Sequence, residues 1–378
     1  MVPQFAPFPG IRYVFDDLGL VTAPPYDVID DDERRALVAR HPHNIVRVDL
    51  PRGNDPYTTA AAMLQDWLDT GVLAPDEPSL YLYRMTFRTS TGEVRHTLGV
   101  IGALGLESPG TGDVLPHEHT TPKAKSDRLD LLRATAMNLS PVWGLSLATG
   151  LSKHLDPAVA EPLGSWTDDD AVGHELWRLG DLAAIEAITD AVSSAPIVIA
   201  DGHHRYETCL AFAGERPDLA GRGATMCFVV ELVEDQLTVQ PIHRLVHGVD
   251  SGALTSALAT EFALDAGDAG SASPVIAPAL VTADGTRSLR RLDTSDTIDS
   301  VVLDRALGRL DGCTVTYQHG ADRATRAVER GDAVAAVLLR APTVEQIAAT
   351  AHARAKMPPK STFFWPKPRT GTVLRSLR

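Results

Sequence analysis

A run of polar residues, Asp201-Gly202-His203-His204-Arg205, directly follows the apolar stretch Ile197-Val198-Ile199-Ala200. Helix-forming residues come next, so the pattern predicts a strand, a tight turn and a helix. The free N–H groups and the dipole at the start of a helix attract anions, and Gly202 lets a phosphate approach the backbone. Arg205 can hold phosphate oxygens, the two histidines can carry protons, and Asp201 can cap the helix or hold a cation. The run therefore predicts a phosphate-handling site, with a capped turn and exposed histidines as the structural alternative.

A second group of reactive side chains begins at His117-Glu118-His119-Thr120 and continues with Lys123, Lys125, Asp127 and Arg128. Acids, bases and cations grouped so closely are the components that phosphate chemistry requires. Glu118 is the candidate base or metal ligand, and His117 is a further catalytic candidate. The candidate phosphate ligands are Lys123 and Arg128. The structural alternative is a solvated, charged loop that leads into an amphipathic helix.

The segment Ala23-Pro24-Pro25-Tyr26-Asp27 places two rigid prolines ahead of two polar side chains. Tyr26 and Asp27 are candidate substrate-binding residues, and Asp27 could also help to hold a magnesium ion. Alternatively, the prolines only fix a turn and Asp27 caps the helix that follows. Residues 44–50 are predicted to form a strand-like edge.

Two further groups lie in the C-terminal half of the chain. His243 and Arg244 are predicted at the end of a strand and are candidate substrate-binding residues, although a packing or surface role fits them equally well. The tail over residues 356–368 contains three consecutive aromatic residues that would be costly to expose together, so we expect it to fold back over the body. Simple closure of the core is the alternative to a binding role for its polar residues. The candidate phosphate ligands in this tail are Lys360, Ser361 and Thr362.

The elements that would position these groups can be predicted from periodicity and turn residues. The predicted helices cover residues 31–39, 58–70 and 205–213, and the predicted strands include 80–88, 97–103 and 140–147. Two hairpins are predicted, with a turn at 89–93 in the first and with strands 226–231 and 236–240 in the second. The fold class is therefore α+β (mixed α/β). We expect an N-terminal α/β segment (1–110), a catalytic core (111–250) and a C-terminal α/β segment (251–378) whose tail returns to the core.

Composition limits the class of protein. The 378 residues are 44% hydrophobic and 22% charged, as expected for a globular protein, and the net charge of −14 disfavours binding to nucleic acid or anionic lipid. Three dispersed cysteines indicate neither a disulfide framework nor a thiolate zinc cluster. We find no export signal and no apolar stretch long enough to span a bilayer, so we expect a cytoplasmic protein.

Five ordered motifs resemble domain-of-unknown-function family 1015 over essentially the whole chain. They are Pro24-Pro25-Tyr26-Asp27-Val28-Ile29, His117-Glu118-x-Thr120, Asp201-Gly202-His203-His204-Arg205-Tyr206-Glu207, His243-Arg244-Leu245 and Met357-Pro358-Pro359-Lys360-Ser361-Thr362. The family name implies no settled activity. Members are sometimes labelled phosphatases, and related genes often lie beside genes of serine biosynthesis, which implies serine or phosphoserine as the substrate.

The strand-Gly-x-x-Arg-helix element is also similar to the phosphate-binding box of the ParB and sulfiredoxin superfamily. This resemblance implies a ParB/sulfiredoxin-like core with additional α/β segments, and nucleotide binding at Gly202 and Arg205. The superfamily includes a free-serine kinase. The chain is much longer than those small domains, and it has no cysteine in the box, which removes a reductase activity.

These patterns lead to one main hypothesis and two alternatives. The main one is a phosphoryl-transfer enzyme, serine kinase-like or phosphoserine phosphatase-like, with ATP or ADP and with Mg²⁺ or Mn²⁺ held by Asp201 and Glu118. The first alternative is a ParB-like nucleotide-binding switch. The second is a metal-dependent hydrolase that uses the histidines at 117, 119, 203 and 204. The direction of transfer, the role of residues 251–345 and a monomeric or homodimeric state stay open.

Overall fold

The computed structural model describes residues 2–89, 91–108, 110–116, 125–157, 161–265, 277–293 and 295–378, without the side chains of 125 and 126. The described residues before Thr238, together with Pro366–Arg378, form one compact unit. Residues Thr238–Trp365 form the second unit. Both units combine helices with sheets, so the predicted α+β class is confirmed.

In the first unit the helices are α1 (Asp31–Arg40), α2 (Val46–Asp49), α3 (Pro56–Asp69), α4 (Lys125–Thr135), α5 (Leu182–Ser193) and α6 (His203–Glu215). Its strands are β1 (Phe5–Ala6), β2 (Gly10–Tyr13), β3 (Leu73–Pro75), β4 (Leu80–Arg88), β5 (Val94–Gly105), β6 (Val114–Pro116), β7 (Met137–Asn138), β8 (Val142–Ser146), β9 (Gly164–Thr167), β10 (Gly173–Leu179), β11 (Ile197–Asp201), β12 (Ala224–Glu231) and β21 (Leu374–Ser376).

The second unit contains the helices α7 (Ser251–Leu258), α8 (Asp299–Leu307), α9 (Ala321–Glu329) and α10 (Val344–His352). Its strands are β13 (Thr238–Gln240), β14 (Ile242–His247), β15 (Phe262–Asp265), β16 (Ala279–Thr282), β17 (Gly285–Arg291), β18 (Thr314–His319), β19 (Ala335–Leu338) and β20 (Phe363–Trp365).

The main sheet of the first unit has the strand order β6-β11-β8-β12-β5-β4-β10-β9, and β1 also pairs with β5. Strands from the predicted segments 1–110 and 111–250 therefore share one sheet. β11 runs parallel to β6 and antiparallel to β8, and its register with β8 shifts between Ile199 and Asp201. The shift lies at the end of β11, where the chain leaves the sheet and enters the Gly202 turn.

Helix α6 is fixed on one side by apolar packing. Phe212 and Cys209 of α6 join Leu132 and Ala136 of the α4 region and Leu377 of the C-terminal segment in one buried cluster. Phe212 is completely buried, which stabilises the fold by about 1.5–3 kcal/mol relative to an exposed side chain. This packing fixes α6, whose first turn follows β11 through Gly202.

The C-terminal segment returns to the first unit through a small sheet. Strand β21 lies between β2 and β7 in the order β3-β2-β21-β7. Residue Thr370 forms an isolated antiparallel bridge with Ala23. These pairings fix the backbone of the C-terminal segment that carries Lys367.

The second unit is built on a six-stranded antiparallel sheet with the order β15-β17-β16-β19-β14-β18. Alternate residues of β14 face opposite layers, as expected for a strand. Val246 packs in a core with residues of α7 and α8, whereas Leu245 packs in a second core with residues of α9. β13 and β20 form a separate two-stranded sheet.

Three local predictions are wrong. Residues 44–50 contain helix α2 rather than a strand, and Asn44 begins that region by accepting a hydrogen bond from Val46 N through its side chain. β12 and β13 do not form a hairpin, because β12 pairs with β5 and β8 while β13 pairs with β20. His243 and Arg244 lie near the start of β14 and not at the end of a strand. Strands β12 and β13 each pair instead with strands from distant parts of the sequence, and short-range patterns do not encode such pairing.

Candidate functional site

The turn between β11 and α6 has the local form that the sequence predicts. Gly202 has a φ of +86°, in the left-handed region that glycine adopts without steric cost. A Cβ built at this position would lie 2.9 Å from the guanidinium carbon of Arg205. Arg205 therefore folds back over the glycine, and a larger residue would displace its guanidinium.

Arg205 is held by groups from two segments of the chain. One terminal nitrogen donates to Asp201 Oδ2 at 2.6 Å. The other donates to Ser140 Oγ at 3.1 Å and to the carbonyl oxygen of Pro141. The side chain is 11% exposed, so these contacts fix a charged group that is largely removed from water.

The other oxygen of Asp201 meets a lysine from the C-terminal segment. Lys367 Nζ lies 2.5 Å from Asp201 Oδ1 and 3.3 Å from Asp27 Oδ2. Asp27, Asp201, Arg205 and Lys367 are called the Asp201 cluster below. The cluster joins two acids and two bases from three distant parts of the sequence.

Electrostatics in the Asp201 cluster favour the charged forms of Asp201 and Lys367. Burial alone would raise the pKa of Asp201, but the charges of Lys367 and Arg205 hold it well below its usual range, and His203 adds to this effect. Burial alone would lower the pKa of Lys367, but Asp201 and Asp27 raise it above its usual value. The carboxylate of Asp201 and the ammonium group of Lys367 are therefore both charged although they are largely buried.

Arg128 forms a second ion-paired group in the same unit. Its guanidinium donates to Asp49 Oδ1 at 3.0 Å and to Asp127 Oδ2 at 2.6 Å. The guanidinium carbon also lies 4.3 Å from the centre of the Tyr26 ring, a distance typical of a cation–π contact. Burial raises the pKa of Tyr26 more than the charges of Arg205 and Arg128 lower it, so the phenol stays protonated near neutral pH.

A small pocket, part of it open to solvent, lies beside these groups. Its wall combines apolar side chains of α4 and of residues 137–139 with polar and charged side chains. The lining residues are Tyr26, Asp49, Arg128, Leu131, Leu132, Met137, Asn138, Leu139, Ser140, Arg205, Thr208, Cys209 and Thr225. Arg205 belongs both to this wall and to the Asp201 cluster, so the pocket and the cluster are adjacent.

Two buried polar atoms on the pocket wall have no hydrogen-bond partner among the described residues. They are Asp49 Oδ2 and Thr208 Oγ1. The two residues are 3% and 4% exposed. A buried polar atom without a partner costs about 1–3 kcal/mol, so such atoms in a native pocket indicate a ligand or ordered water.

The structure thus brings together Tyr26, Asp27, Arg128, Asp201, Gly202 and Arg205 within the first unit. His203 and His204 occupy the first turn of α6, both half-buried. His117, Glu118 and Lys123 lie outside the described residues, and so does His119. Their predicted roles stay predictions.

The remaining predicted residues belong to the second unit. His243 is 1% exposed, and its Nδ1 accepts a hydrogen bond from Leu339 N at 3.2 Å, which leaves the ring proton on Nε2. Burial first, and then the charges of His319 and Arg244, lower the pKa of His243 to about 4. His243 is therefore a neutral, buried group at physiological pH.

Arg244 is also buried and anchors the segment that contains Lys360. It donates to the carbonyl oxygens of Ile242 and Lys360, each at 2.9 Å, and to that of Pro359 at 3.3 Å. Lys360 itself is exposed and has a φ of +59°, a conformation that is uncommon outside glycine. Arg244 thus holds a strained backbone in place.

Ser361 and Thr362 follow Lys360 and are both buried. Ser361 Oγ lies 2.9 Å from Ser300 Oγ and donates to the carbonyl oxygen of Pro358 at 2.8 Å. These contacts give Ser361 a packing role in the second unit. Its predicted role as a phosphate ligand stays a prediction.

Two predicted helix caps are wrong. The residue that caps α1 is Asp30, whose carboxylate accepts a hydrogen bond from Glu33 N at 2.8 Å, and not Asp27. At α6 the cap position is Gly202, without a side-chain cap. Asp201 does not cap the helix because Lys367 and Arg205 occupy its two oxygens.

Sequence reasoning missed three residues that belong to this region, namely Lys367, Asp49 and Thr208. Lys367 carried a weak signal, since it stands between Pro366 and Pro368, which fix the backbone on both sides. Asp49 and Thr208 carried none, because each stands in a segment that the sequence predicts only as a structural element, a strand-like edge at 44–50 and a helix at 205–213. Only the folded chain shows that they line one pocket.

The chain belongs to the family described as Protein of unknown function (DUF1015), whose model matches residues 5–312. The resemblance is thereby confirmed over residues 5–312, which contain the first four of the five motifs, whereas the motif at 357–362 lies outside the match. The family description assigns no activity, so the site must be interpreted from its own chemistry. Among curated proteins, none matches this chain.

Several solved structures are similar to this one at low identity. A conserved hypothetical protein from Pyrococcus furiosus has a TM-score of 0.40 and 13% identity over 69% of this chain and 90% of its own. A free serine kinase in complex with AMP has a TM-score of 0.38 and 13% identity over 67% and 83% of the two chains. SbnI with a C-terminal truncation, from Staphylococcus aureus, has a TM-score of 0.43 and 12% identity over 72% and 85%. Similarity at this level does not by itself extend an activity to this chain.

Metal-binding clusters and membrane-spanning helices are both absent from the described residues. No three His, Cys, Asp or Glu side chains in the described ranges converge closely enough to hold a metal ion. Within the same ranges, no helix has both the length and the apolar character needed to cross a membrane.

Proposed function

We propose that the Asp201 cluster is the centre of a phosphoryl-transfer enzyme that acts on a small metabolite. The observation that carries this proposal is the arrangement of Lys367 and Arg205 on the two oxygens of Asp201, at the turn where β11 ends and α6 begins. Two cations at the amino end of a helix, beside a glycine that leaves the backbone open, suit the oxygens of a phosphate.

The charges of the cluster also suit a ligand that carries both signs. Its two carboxylates and two cations balance, so a phosphate alone would have to compete with Asp201 for the cations. A phosphate accompanied by a divalent cation presents both charges, so the cations can turn to the phosphate as the carboxylates turn to the metal ion. Magnesium sites at phosphates commonly use only one or two protein carboxylates, with phosphate and water completing the shell.

Asp201 and Asp27 are the described carboxylates that would hold Mg²⁺ or Mn²⁺, and Glu118 is the remaining predicted ligand. Such an ion would neutralise charge on the phosphate oxygens when it is bound. Oxygen donors of this kind fit these hard cations rather than zinc, which favours nitrogen and sulfur ligands. We therefore propose that these carboxylates bind the metal ion when it arrives together with a nucleotide.

In the proposed reaction the bond between the transferred phosphorus and the leaving oxygen of ATP or ADP breaks as a substrate oxygen forms its bond to that phosphorus. The hydroxyl proton passes to a base, for which Glu118, His203 and His204 are the candidates. Lys367 and Arg205 stabilise charge on the phosphate oxygens. Serine as the acceptor, and phosphoserine as the substrate of the reverse or hydrolytic reaction, follow from the family resemblance.

The test is to follow phosphorus NMR spectra of the purified protein with Mg²⁺ or Mn²⁺. ATP or ADP with L-serine should give a new phosphomonoester signal if the enzyme is a kinase, and phosphoserine alone should release inorganic phosphate if it is a phosphatase. Absence of turnover with all of these mixtures would refute the proposal. Tight nucleotide binding without turnover would instead support a ParB-like switch.

A pair of lysine variants assigns the activity to this site. Lys367→Met should lower kcat by about 100-fold, because loss of one charged donor to a transition state typically costs about 10²–10³ in rate. Lys153→Met removes an exposed lysine of the same unit and should leave kcat unchanged. Equal activity of both variants would show that Lys367 is not part of the active site.

A further inference from the structure

The pocket beside the Asp201 cluster contains polar groups that the phosphate chemistry does not use. Asp49 Oδ1 is paired with Arg128, but Asp49 Oδ2 accepts no hydrogen bond from the described part of the chain. Thr208 Oγ1 is in the same situation on the wall formed by α6. Both side chains are more than nine-tenths buried, so open solvent does not satisfy them.

From this geometry we propose that the pocket binds the substrate molecule that accepts or releases the phosphoryl group, and that this molecule is a small metabolite with a hydroxyl group. The assignment of the molecule as a reactant rests on the proposed function. Asp49 Oδ2 accepts a hydrogen bond from the metabolite, and Thr208 Oγ1 forms a second hydrogen bond with it. Neither residue stands out in the sequence.

The position of Arg205 supports this assignment. Its guanidinium is part of the pocket wall and also pairs with Asp201. A molecule in the pocket therefore lies directly against one of the two proposed phosphate-binding cations. This is the placement that a transfer reaction requires, because the two reacting groups must meet within van der Waals distance.

The chemistry of the walls limits the ligand class. Leu131, Leu132 and Met137 supply an apolar wall that suits the carbon skeleton of the metabolite. Asp49 is an acceptor, which favours a hydroxyl or ammonium donor over a carboxylate. Burial raises the pKa of Asp49 while Arg128 and Arg205 lower it, and the net direction is upward. A donor from the ligand would compensate for this burial.

Three probes with a primary hydroxyl separate the contributions of charge: glycerol is neutral, ethanolamine adds an ammonium group, and L-serine adds both an ammonium and a carboxylate. Binding of each to the full-length protein is measured by isothermal titration calorimetry, without nucleotide. At least one probe should bind at millimolar or lower concentration. Lack of binding by all three would overturn the proposal and leave ordered water as the occupant of the pocket.

The decisive variant is Thr208→Val, which removes the hydroxyl at nearly constant volume. It should weaken binding of the probe about 10-fold, the value of one hydrogen bond. Thr189→Val is the matched control, because Thr189 Oγ1 of α5 is also buried without a partner in the described ranges but does not line the pocket. Unchanged binding by Thr208→Val, or equal weakening in both variants, would overturn the proposal.

Asp49→Asn gives an independent measurement, since it keeps the size of the side chain and removes its charge. It should weaken the same probe by about 10-fold or more and leave the affinity for ADP within about twofold, given one lost charged acceptor. An equal loss for probe and nucleotide would indicate general unfolding or a different site, against the proposal. If the proposed function fails while the pocket assignment holds, the result differs. The probe then binds and Thr208→Val weakens its binding, but no phosphoryl transfer occurs.

Discussion

Lys367 Nζ lies 2.5 Å from Asp201 Oδ1, and the two residues are 166 positions apart in the chain. The contact joins the returning C-terminal segment to the turn at the end of β11. It adds a second cation, from a distant part of the sequence, to the local ion pair of Asp201 and Arg205. The acid sensitivity of the protein should reveal this ion pair.

Protonation of Asp201 should destabilise the fold. The folded pKa is depressed below the ordinary value of 3.8, so the stabilisation is present above that pH and is lost as the pH falls through the folded pKa. We expect the free energy of unfolding, measured with urea, to fall below about pH 4 more steeply in the wild type than in Asp201→Asn. Asp16→Asn, at an exposed position of the same unit, should keep the wild-type slope. Parallel curves for wild type and Asp201→Asn would contradict the proposed strength of this pair.

Gly202→Ala should destabilise the protein by about 1–2 kcal/mol, because alanine is strained at positive φ. It should also reduce phosphate or nucleotide binding, since the new Cβ would displace Arg205. Gly214→Ala is a control in the same helix, because an alanine Cβ at that position would have no neighbouring atom within 4 Å, and it should stabilise by about 0.5–1 kcal/mol. Thermal unfolding and calorimetric titration with ADP measure both effects, and equal behaviour of the two variants would count against the assigned geometry.

His243 should remain neutral down to acid pH. Its folded pKa of about 4 lies below the ordinary 6.5, so its contribution to stability is complete above pH 6.5 and is lost as the pH falls toward 4. Titration of the histidine ring signals by NMR should show one ring that does not protonate near its ordinary pKa. That signal should be missing in His243→Gln, and a normal titration of His243 would show that the ring is not enclosed as the structure shows.

Arg244→Met should destabilise the second unit by about 3 kcal/mol, since three backbone carbonyl groups lose a charged donor inside the protein. Arg330→Met removes an arginine whose side chain is 63% exposed, and it should change stability by less than about 0.5 kcal/mol. Urea unfolding of both variants gives the comparison. Similar stabilities would mean that Arg244 does not anchor the segment around Lys360.

Much of the local structure could be predicted from the sequence. The predicted strand, turn and helix around Gly202 are confirmed. They could be predicted because an apolar β-branched run, a glycine and a helix-forming stretch each act over a few residues. The helix over residues 58–70 and the antiparallel pairing of β4 with β5 follow from the same kind of signal. The α+β class and the family were likewise predictable, since both depend on features spread along the whole chain.

The sequence alone also determined which side chains could handle a phosphate, because residue type sets charge and hydrogen-bonding capacity. Only the tertiary structure decided which of them meet. Lys367 reaches Asp201 because β21 pairs with β2 and β7. Asp49 of α2 and Thr208 of α6 line one pocket because α2 packs on α3, α3 on α4 and α4 on α6. Such contacts depend on hydrophobic burial and on strand pairing between distant segments, for which no short segment of sequence carries the information.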